Sequence, residues 1–326
     1  MHTLKLRYVL PFLTAAALFS CNQAPKQQQI TETASEVEAN APVKLSLAQW
    51  SLHRAIRSGE MSPYDFAAQA KELGFQGLEY VNQLYTDVVR AEDKKAAIAD
   101  FVTKNNELAA QYGLQNVLIM IDGEGSLSSS DVQARTEAIE NHKLWIDAAS
   151  AMGCSAVRLN LYGEKDPELW KANSIESLSA LSAYAAPKGI NVLVENHGRI
   201  SSNAQALMGV INGVDAPNCG TLPDFGNFCI AEEGYGSVFD GSCTEVYDIY
   251  QGVEELMPKA MALSAKSNDF DENGNETFID YERMLRIAKS AGYDGFIGVE
   301  YEGSRLSEIE GIKATRDLLV KASASL

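Results

Sequence analysis

Three carboxylates in this chain stand where carboxylates are costly. The apolar run INVLVE ends in Glu195, CGTLPD ends in Asp224, and FIGVE ends in Glu300. An unpaired charge at the end of a hydrophobic strand carries a heavy desolvation cost, so three such placements call for one shared partner: a cation, a proton or a substrate hydroxyl. Carboxylates converging on one point raise one another's proton affinity unless a cation lies between them. Mg²⁺ or Mn²⁺ suits such an oxygen-rich set. An ion of this kind polarises a carbonyl and stabilises the enediolate left when the neighbouring proton departs. A carboxylate on each side can remove and return that proton. This is the logic of aldose–ketose isomerisation and of epimerisation next to a ketone.

The elements that must position these groups repeat one pattern from Val43 onward. A helical stretch ends near a glycine, two residues follow, and a short apolar strand begins: KELGFQGLEY, AAQYGLQNVLIMI, SAMGCSAVRLNL, APKGINVLVE and KSAGYDGFIGVE. Glycine just past a helix end takes the left-handed cap that other residues avoid; these glycines are 74, 113, 153, 189 and 292. The strands are near-continuous apolar runs, the mark of parallel strands covered on both faces. They fall near 43–50, 76–80, 115–121, 155–161, 190–195, 218–223, 260–265 and 295–300. Ser62-Pro63 and Asp166-Pro167 each read as an N-cap followed by proline at the first helical position. Eight strand–helix units predict a single α/β domain, a (β/α)₈ TIM barrel over residues 43–326. A doubly wound open sheet is the alternative. The absence of Gly-x-Gly-x-x-Gly after the first strand argues against a dinucleotide site.

A barrel puts its active site at the C-terminal ends of the strands. Those ends carry Gln49, Trp50 and His53, then Glu79, Asp122, Arg158 with Asn160, Glu195 with His197, Asp224 with Asn227, Lys266 and Glu300. Arg158 suits substrate binding as well as an ion pair with Glu195 or Asp122. His197 suits orienting Glu195, binding a sugar hydroxyl or binding a metal. Trp50 and Tyr301 suit stacking on a sugar face as well as packing the rim.

The 326 residues carry a formal net charge of −17. Subtracting Lys5 and Arg7 with residues 1–20 makes it about −19. Such a surface disfavours nucleic acid and anionic membranes as partners. Lys5 and Arg7 precede the apolar stretch Val9–Phe19, which is too short to span a bilayer. It runs into Leu18-Phe19-Ser20-Cys21, which resembles a bacterial lipoprotein signal with Cys21 as the lipidated residue. Residues 21–42 are poor in apolar side chains and read as a flexible tether. The expectation is an exported protein, held to a bacterial membrane only through its lipid and facing a disulfide-permissive compartment. Cys154 and Cys219 begin apolar runs and read as buried thiols, whereas Cys229 and Cys243 flank a glycine-rich loop and are placed to pair or to stay free.

The motifs LSLAQWSL, VRLN, VLVENHG, PDFGN, SAKSNDFDENG and GVEYEG, in that order, are similar to those of the xylose isomerase-like barrel superfamily, the sugar phosphate isomerase/epimerase group. The resemblance covers about 43–323. It implies that Glu195 and Glu300 are metal ligands and the acid–base pair, and that Asp224 is a third ligand, with Mn²⁺, Mg²⁺ or Zn²⁺ as cofactor. Lys266 joins the catalytic set. From their places at the strand ends, Trp50, His53, Glu79, Arg158, Asn160, His197 and Asn227 read as substrate contacts. Two departures stand out: Ser264 lies where the family usually places a histidine ligand, and Asn227 where many relatives carry another histidine. The reading is an isomerase or epimerase acting on a sugar or keto-sugar. A lyase or hydratase acting on a 3-keto-glycoside is the second reading, and a non-catalytic sugar-binding lipoprotein the third. A multi-zinc endonuclease of the same barrel is disfavoured, because the chain has four histidines. The segment Asp269–Asp280 approximates a calcium loop, against the plainer reading of a polar turn.

Overall fold

The computed structural model describes residues 43–231, 237–239, 241 and 243–325. The proposed signal, Cys21 and the tether lie outside the described residues. Eight parallel strands, each followed by a helix, form the domain. The strands are β1 (Lys44–Ala48), β2 (Gly77–Val81), β3 (Gln115–Ile121), β4 (Ala156–Leu159), β5 (Asn191–Glu195), β6 (Cys219–Leu222), β7 (Leu263–Ser267) and β8 (Phe296–Tyr301). The helices are α1 (Phe66–Glu72), α2 (Lys94–Tyr112), α3 (Val132–Ala151), α4 (Pro167–Ala185), α5 (Ala204–Val214), α6 (Ile249–Leu256), α7 (Tyr281–Ser290) and α8 (Glu308–Ser323). Short helices such as His53–Ser58 and Thr86–Val89 are inserted between them. This is the TIM barrel that the strand–helix repeat predicts.

The local signals act as the sequence suggests. The five cap glycines all take positive φ, between 66° and 80°. Ser62 and Asp65 form a capping box around Pro63, and Asp166 caps α4 by accepting from the amides of Glu168 and Leu169. Strand bounds shift by up to three residues from expectation, most at β7, which starts at Leu263 rather than near 260 because Met257–Lys259, with its Pro258, forms a 3-10 turn first. Lys266 therefore lies within the strand, not beyond it.

The strand order is β6-β5-β4-β3-β2-β1-β8-β7. The seam between β6 and β7 holds only isolated parallel bridges, Thr221 to Ala260 and Asp224 to Ser264. Pro223 has no N–H to give to a ladder there. The backbones nevertheless come close, since a Cβ on Gly220 would meet the Lys259 carbonyl oxygen at 2.5 Å. The upper bridge is closed by Phe225 N donating to Ser264 O and Ser264 N to Pro223 O, both at 3.0 Å. The two strand ends that the site needs are thus brought together at the closure of the barrel.

Candidate active site

Parallel register and two-residue alternation fix which side chains enter the barrel. Lys266 lies opposite Glu300 across β7 and β8, with Ser264 opposite Gly298 one pleat below. Glu195 ends β5, and Arg158 comes from β4 beside it. Glu195, Asp224, Glu300, Lys266 and Arg158 are each at most 4% exposed.

Glu195 is held from two sides. Asn227 Nδ2 donates to its Oε1 at 2.8 Å, and the Arg158 guanidinium approaches Oε2 at 2.9 Å. Arg158 also donates to Asp122 Oδ1 at 2.7 Å, and Asn160 Nδ2 donates to the same oxygen at 3.0 Å. Burial pushes Glu195 up, Arg158 pulls against it, and the charge of Glu300 raises it again, leaving it at about 7. Asp122 stays below the usual carboxylate range: burial would raise it, but Arg158 overrides that.

Across the mouth, the Lys266 ammonium lies 3.2 Å from Glu300 Oε1, 3.0 Å from Glu302 Oε2 and 4.0 Å from Asp224 Oδ2. Burial alone would lower its proton affinity, but Asp224, Glu300 and Glu302 drive it well above the ordinary lysine value. It is an ammonium throughout the physiological range. The Ser264 hydroxyl lies 2.6 Å from Asp224 Oδ2 and 3.2 Å from Glu300 Oε2, tying the two carboxylates together. Asp224 Oδ1 accepts from the amides of Gly226 and Asn227, both at 2.8 Å, so it also caps its own turn.

The remaining predicted residues are spread around this centre. His197 Nδ1 meets the Tyr162 hydroxyl at 2.5 Å. Burial, with Lys266 and Arg158 adding repulsion, pulls the imidazole down to about 4, so it is neutral at neutral pH. Trp50 donates through Nε1 to Glu302 Oε1 at 2.5 Å and stacks on His53, with ring centroids 4.5 Å apart. His53 turns its Nδ1 to the Trp50 carbonyl and lies near Glu308, supporting Trp50 from its far side. Glu79 sits lower in the barrel. Ser46 donates to its Oε1 at 2.5 Å, its Oε2 has no partner, and a Cβ on Gly298 would clash with both oxygens at 2.6 Å. Burial raises this carboxyl to about 8, so it is neutral at neutral pH.

Two participants were missed in the sequence. Glu302 lies two residues after Glu300, and the same alternation that pairs Ser264 with Lys266 gives it the same face. Asn196, just past β5, stitches that strand end to the loop after β6, donating to the carbonyls of Asp224 and Asn227 and accepting from the Asp224 amide. Cys229 and Cys243 form a disulfide, and Cys154 and Cys219 are buried free thiols. The calcium reading of the loop after β7 gives way to the polar turn. Asp271 Oδ1 accepts from the amides of Asn273 and Asn275, Glu276 accepts from four backbone amides, and Asp280 caps α7.

A divalent metal fits this arrangement poorly. Among the described residues, no three His, Cys, Asp or Glu side chains are grouped to hold one. Glu195 faces Arg158 and Asn227, and Glu300 faces Lys266 and Ser264. A bound divalent ion sits about 2.0–2.6 Å from its oxygens, in the space that the ammonium commands.

With this geometry in view, the chain belongs to the xylose isomerase-like TIM barrel family, whose profile matches residues 67–322. It is similar in fold to D-allulose 3-epimerase from Methylomonas sp., at 16% identity and a TM-score of 0.63, covering 86% of this chain and 98% of that one. It is likewise similar to 3-keto-D-glucoside 4-epimerase from E. coli, at 12% identity and a TM-score of 0.62, covering 86% and 99%. A third neighbour, the IOLI protein solved with a binding zinc atom, has a TM-score of 0.61 at 15% identity, covering 87% and 99%. At such identities these likenesses establish the fold alone. A local match to the C-glycoside deglycosidase alpha subunit of Arthrobacter globiformis is 36% identical over 55 residues, 17% of this chain and 16% of that protein's length.

Proposed function

We propose that the protein is a sugar or keto-sugar isomerase or epimerase that removes and returns a proton next to a carbonyl. The observation that carries this reading is the opposition of two buried strand-end glutamates across a barrel mouth that also holds an ammonium. Glu195, at about 7, is poised to exchange a proton near neutral pH. Lys266 has three N–H donors and two close carboxylate partners, Glu300 and Glu302. Its remaining donor is suited to the oxygen on which charge develops as the proton leaves. Glu300, paired with Lys266, serves in this reading as the second acid–base group. His197 with Tyr162, and Glu302 held by Trp50, supply polar contacts for sugar hydroxyls. The zinc in one relative's structure motivates a divalent metal as cofactor, but the residues of this chain fit one poorly and no step is assigned to it.

A second reading, a lyase on 3-keto-glycosides, draws on the same proton removal followed by loss of the leaving group. Two observations favour keeping it. One is the local likeness to a C-glycoside deglycosidase subunit. The other is a cavity of about 280 Å³ beside the mouth, lined by Leu161, Tyr162, Trp170, Ile200 and Ile230 together with the charged Glu164, Lys165 and Arg199, which offers room for an aglycone.

We further propose that the enzyme is exported and lipid-anchored at Cys21, with carbohydrate as its small-molecule partner. The Lys5/Arg7 and Val9–Phe19 pattern supports export, as does the Cys229–Cys243 disulfide, which suits an oxidising compartment.

The test is NMR of ketoses and 3-keto-glycosides incubated with the purified protein in D₂O. Deuterium entering at the carbon beside the carbonyl supports the reading, and an accompanying released aglycone selects the lyase. Sugar binding without any exchange across both classes would overturn both and leave a binding protein.

A further inference from the structure

We infer that Lys266 is a built-in cation that takes the place of a metal, so that the site works without one, and that removing this side chain turns the mouth into a divalent-metal site. The argument rests on how the charges are placed. Glu195, Asp224, Glu300 and Glu302 converge on the mouth, and positive charge comes only from Arg158 and Lys266 among the described residues named there. Arg158 is committed to the Glu195 and Asp122 side. Lys266 alone serves the other three carboxylates, and it is 1% exposed.

That position is fixed rather than incidental. The side chain leaves the penultimate residue of β7, in register with Glu300. Its methylenes pass close to Gly226, where a Cβ would meet Lys266 Cδ at 3.1 Å and the Phe239 ring at 3.0 Å. The stem is therefore packed along its length, and Trp50 fixes the far oxygen of Glu302. An ammonium held this way repels a second cation and keeps the carboxylate oxygens at hydrogen-bond distances, longer than a metal requires. Ser264 reinforces the effect by occupying Asp224 Oδ2. Without the lysine, buried Asp224 and Glu300 and part-buried Glu302 are left without the ammonium they share, a set of hard oxygen donors that favours Mg²⁺ or Mn²⁺.

Manganese titration of the chelator-treated protein, read by the EPR signal of free Mn²⁺, tests this without any substrate. Its failure is therefore distinguishable from failure of the proton-exchange reading. Wild-type protein should take up no stoichiometric Mn²⁺, show no Mn²⁺-dependent rise in melting temperature, and keep its proton exchange in EDTA. Lys266→Met should bind Mn²⁺ at least about 100-fold more tightly than wild type, with its melting temperature rising by roughly 4 °C or more when Mn²⁺ is added in excess. Stoichiometric Mn²⁺ on wild type, lost in Glu195→Gln, would overturn the inference. So would a folded Lys266→Met that binds no metal. If Lys266→Met does not fold, the wild-type titration decides alone.

Discussion

Two acid-rich regions lie near each other along the chain, and they use their carboxylates in opposite ways. In the loop after β7, Glu276 accepts from the amides of Asn268, Asp269, Phe278 and Ile279, all within eight residues. Asp271 likewise accepts from Asn273 and Asn275. These charges close a turn using the nearest backbone, a local device that needs no ligand. At the barrel mouth the partners are distant in sequence and are side chains: Asn227 for Glu195, Ser264 for Asp224, Lys266 for Glu300, each more than thirty residues away. Asp224 Oδ1 also closes its own turn through the amides of Gly226 and Asn227, but the long-range pairs gain nothing for local folding. They hold charge in a buried space that opens at the strand ends. Of two clusters with similar composition, the one satisfied over long range is the one that can do chemistry, whereas local satisfaction marks architecture.

The sharpest test of that contrast exchanges function for stability. Glu195→Gln keeps the shape and the hydrogen bond from Asn227 but removes the group that exchanges a proton. Exchange into solvent should fall by about 10²–10⁴-fold, with the melting temperature held or raised, because a buried carboxyl that resists ionisation is gone. A variant that melts early and loses activity only in proportion to unfolding would make Glu195 architectural. The reverse is expected in the loop. Glu276→Ala leaves four backbone amides without their acceptor and should cost about 2–3 kcal/mol of stability, seen as a lower denaturant midpoint. The folded fraction should retain wild-type turnover. If turnover falls while folding holds, the loop belongs to the site after all.

Much of this is legible in the sequence. The repeated glycine caps at Gly74, Gly113, Gly153, Gly189 and Gly292 report a backbone requirement that only glycine meets easily, so the barrel could be read from them. Glu195, Asp224 and Glu300 were legible because a carboxylate closing an apolar strand is energetically conspicuous. Glu302 was not, since it follows the strand in an unremarkable polar stretch and gains meaning only when Lys266 is found beside it. The partition of partners was also hidden: Arg158 suited either Glu195 or Asp122 on paper, and it pairs with both. Register across the β6–β7 seam decides which charges meet, and Pro223 breaks the ladder pattern that would have announced it. The same holds for Lys266, whose strand begins later than its apolar run suggests.

Glu79 gives the smallest effect and the finest measure of how unlike the two regions are. Its carboxyl lies beneath the mouth with one oxygen unpartnered, and burial raises it from 4.5 to about 8. Between those values the folded chain holds a proton that the unfolded chain has released, so stability should fall as pH rises through the window. His197 acts with opposite sign and at lower pH. Its value drops from 6.5 to about 4, so stability is lost as pH falls from 6.5 towards 4. Glu79→Gln can still accept from Ser46 and cannot ionise. It should match wild type near pH 5 and exceed it progressively as the pH rises to 9, where wild type must bury the charge. Denaturant midpoints for both proteins across that range read the difference directly. Parallel curves would mean that Glu79 ionises freely in the barrel, through water or a partner that reaches Oε2, and that the floor of the site is as well solvated as the loop.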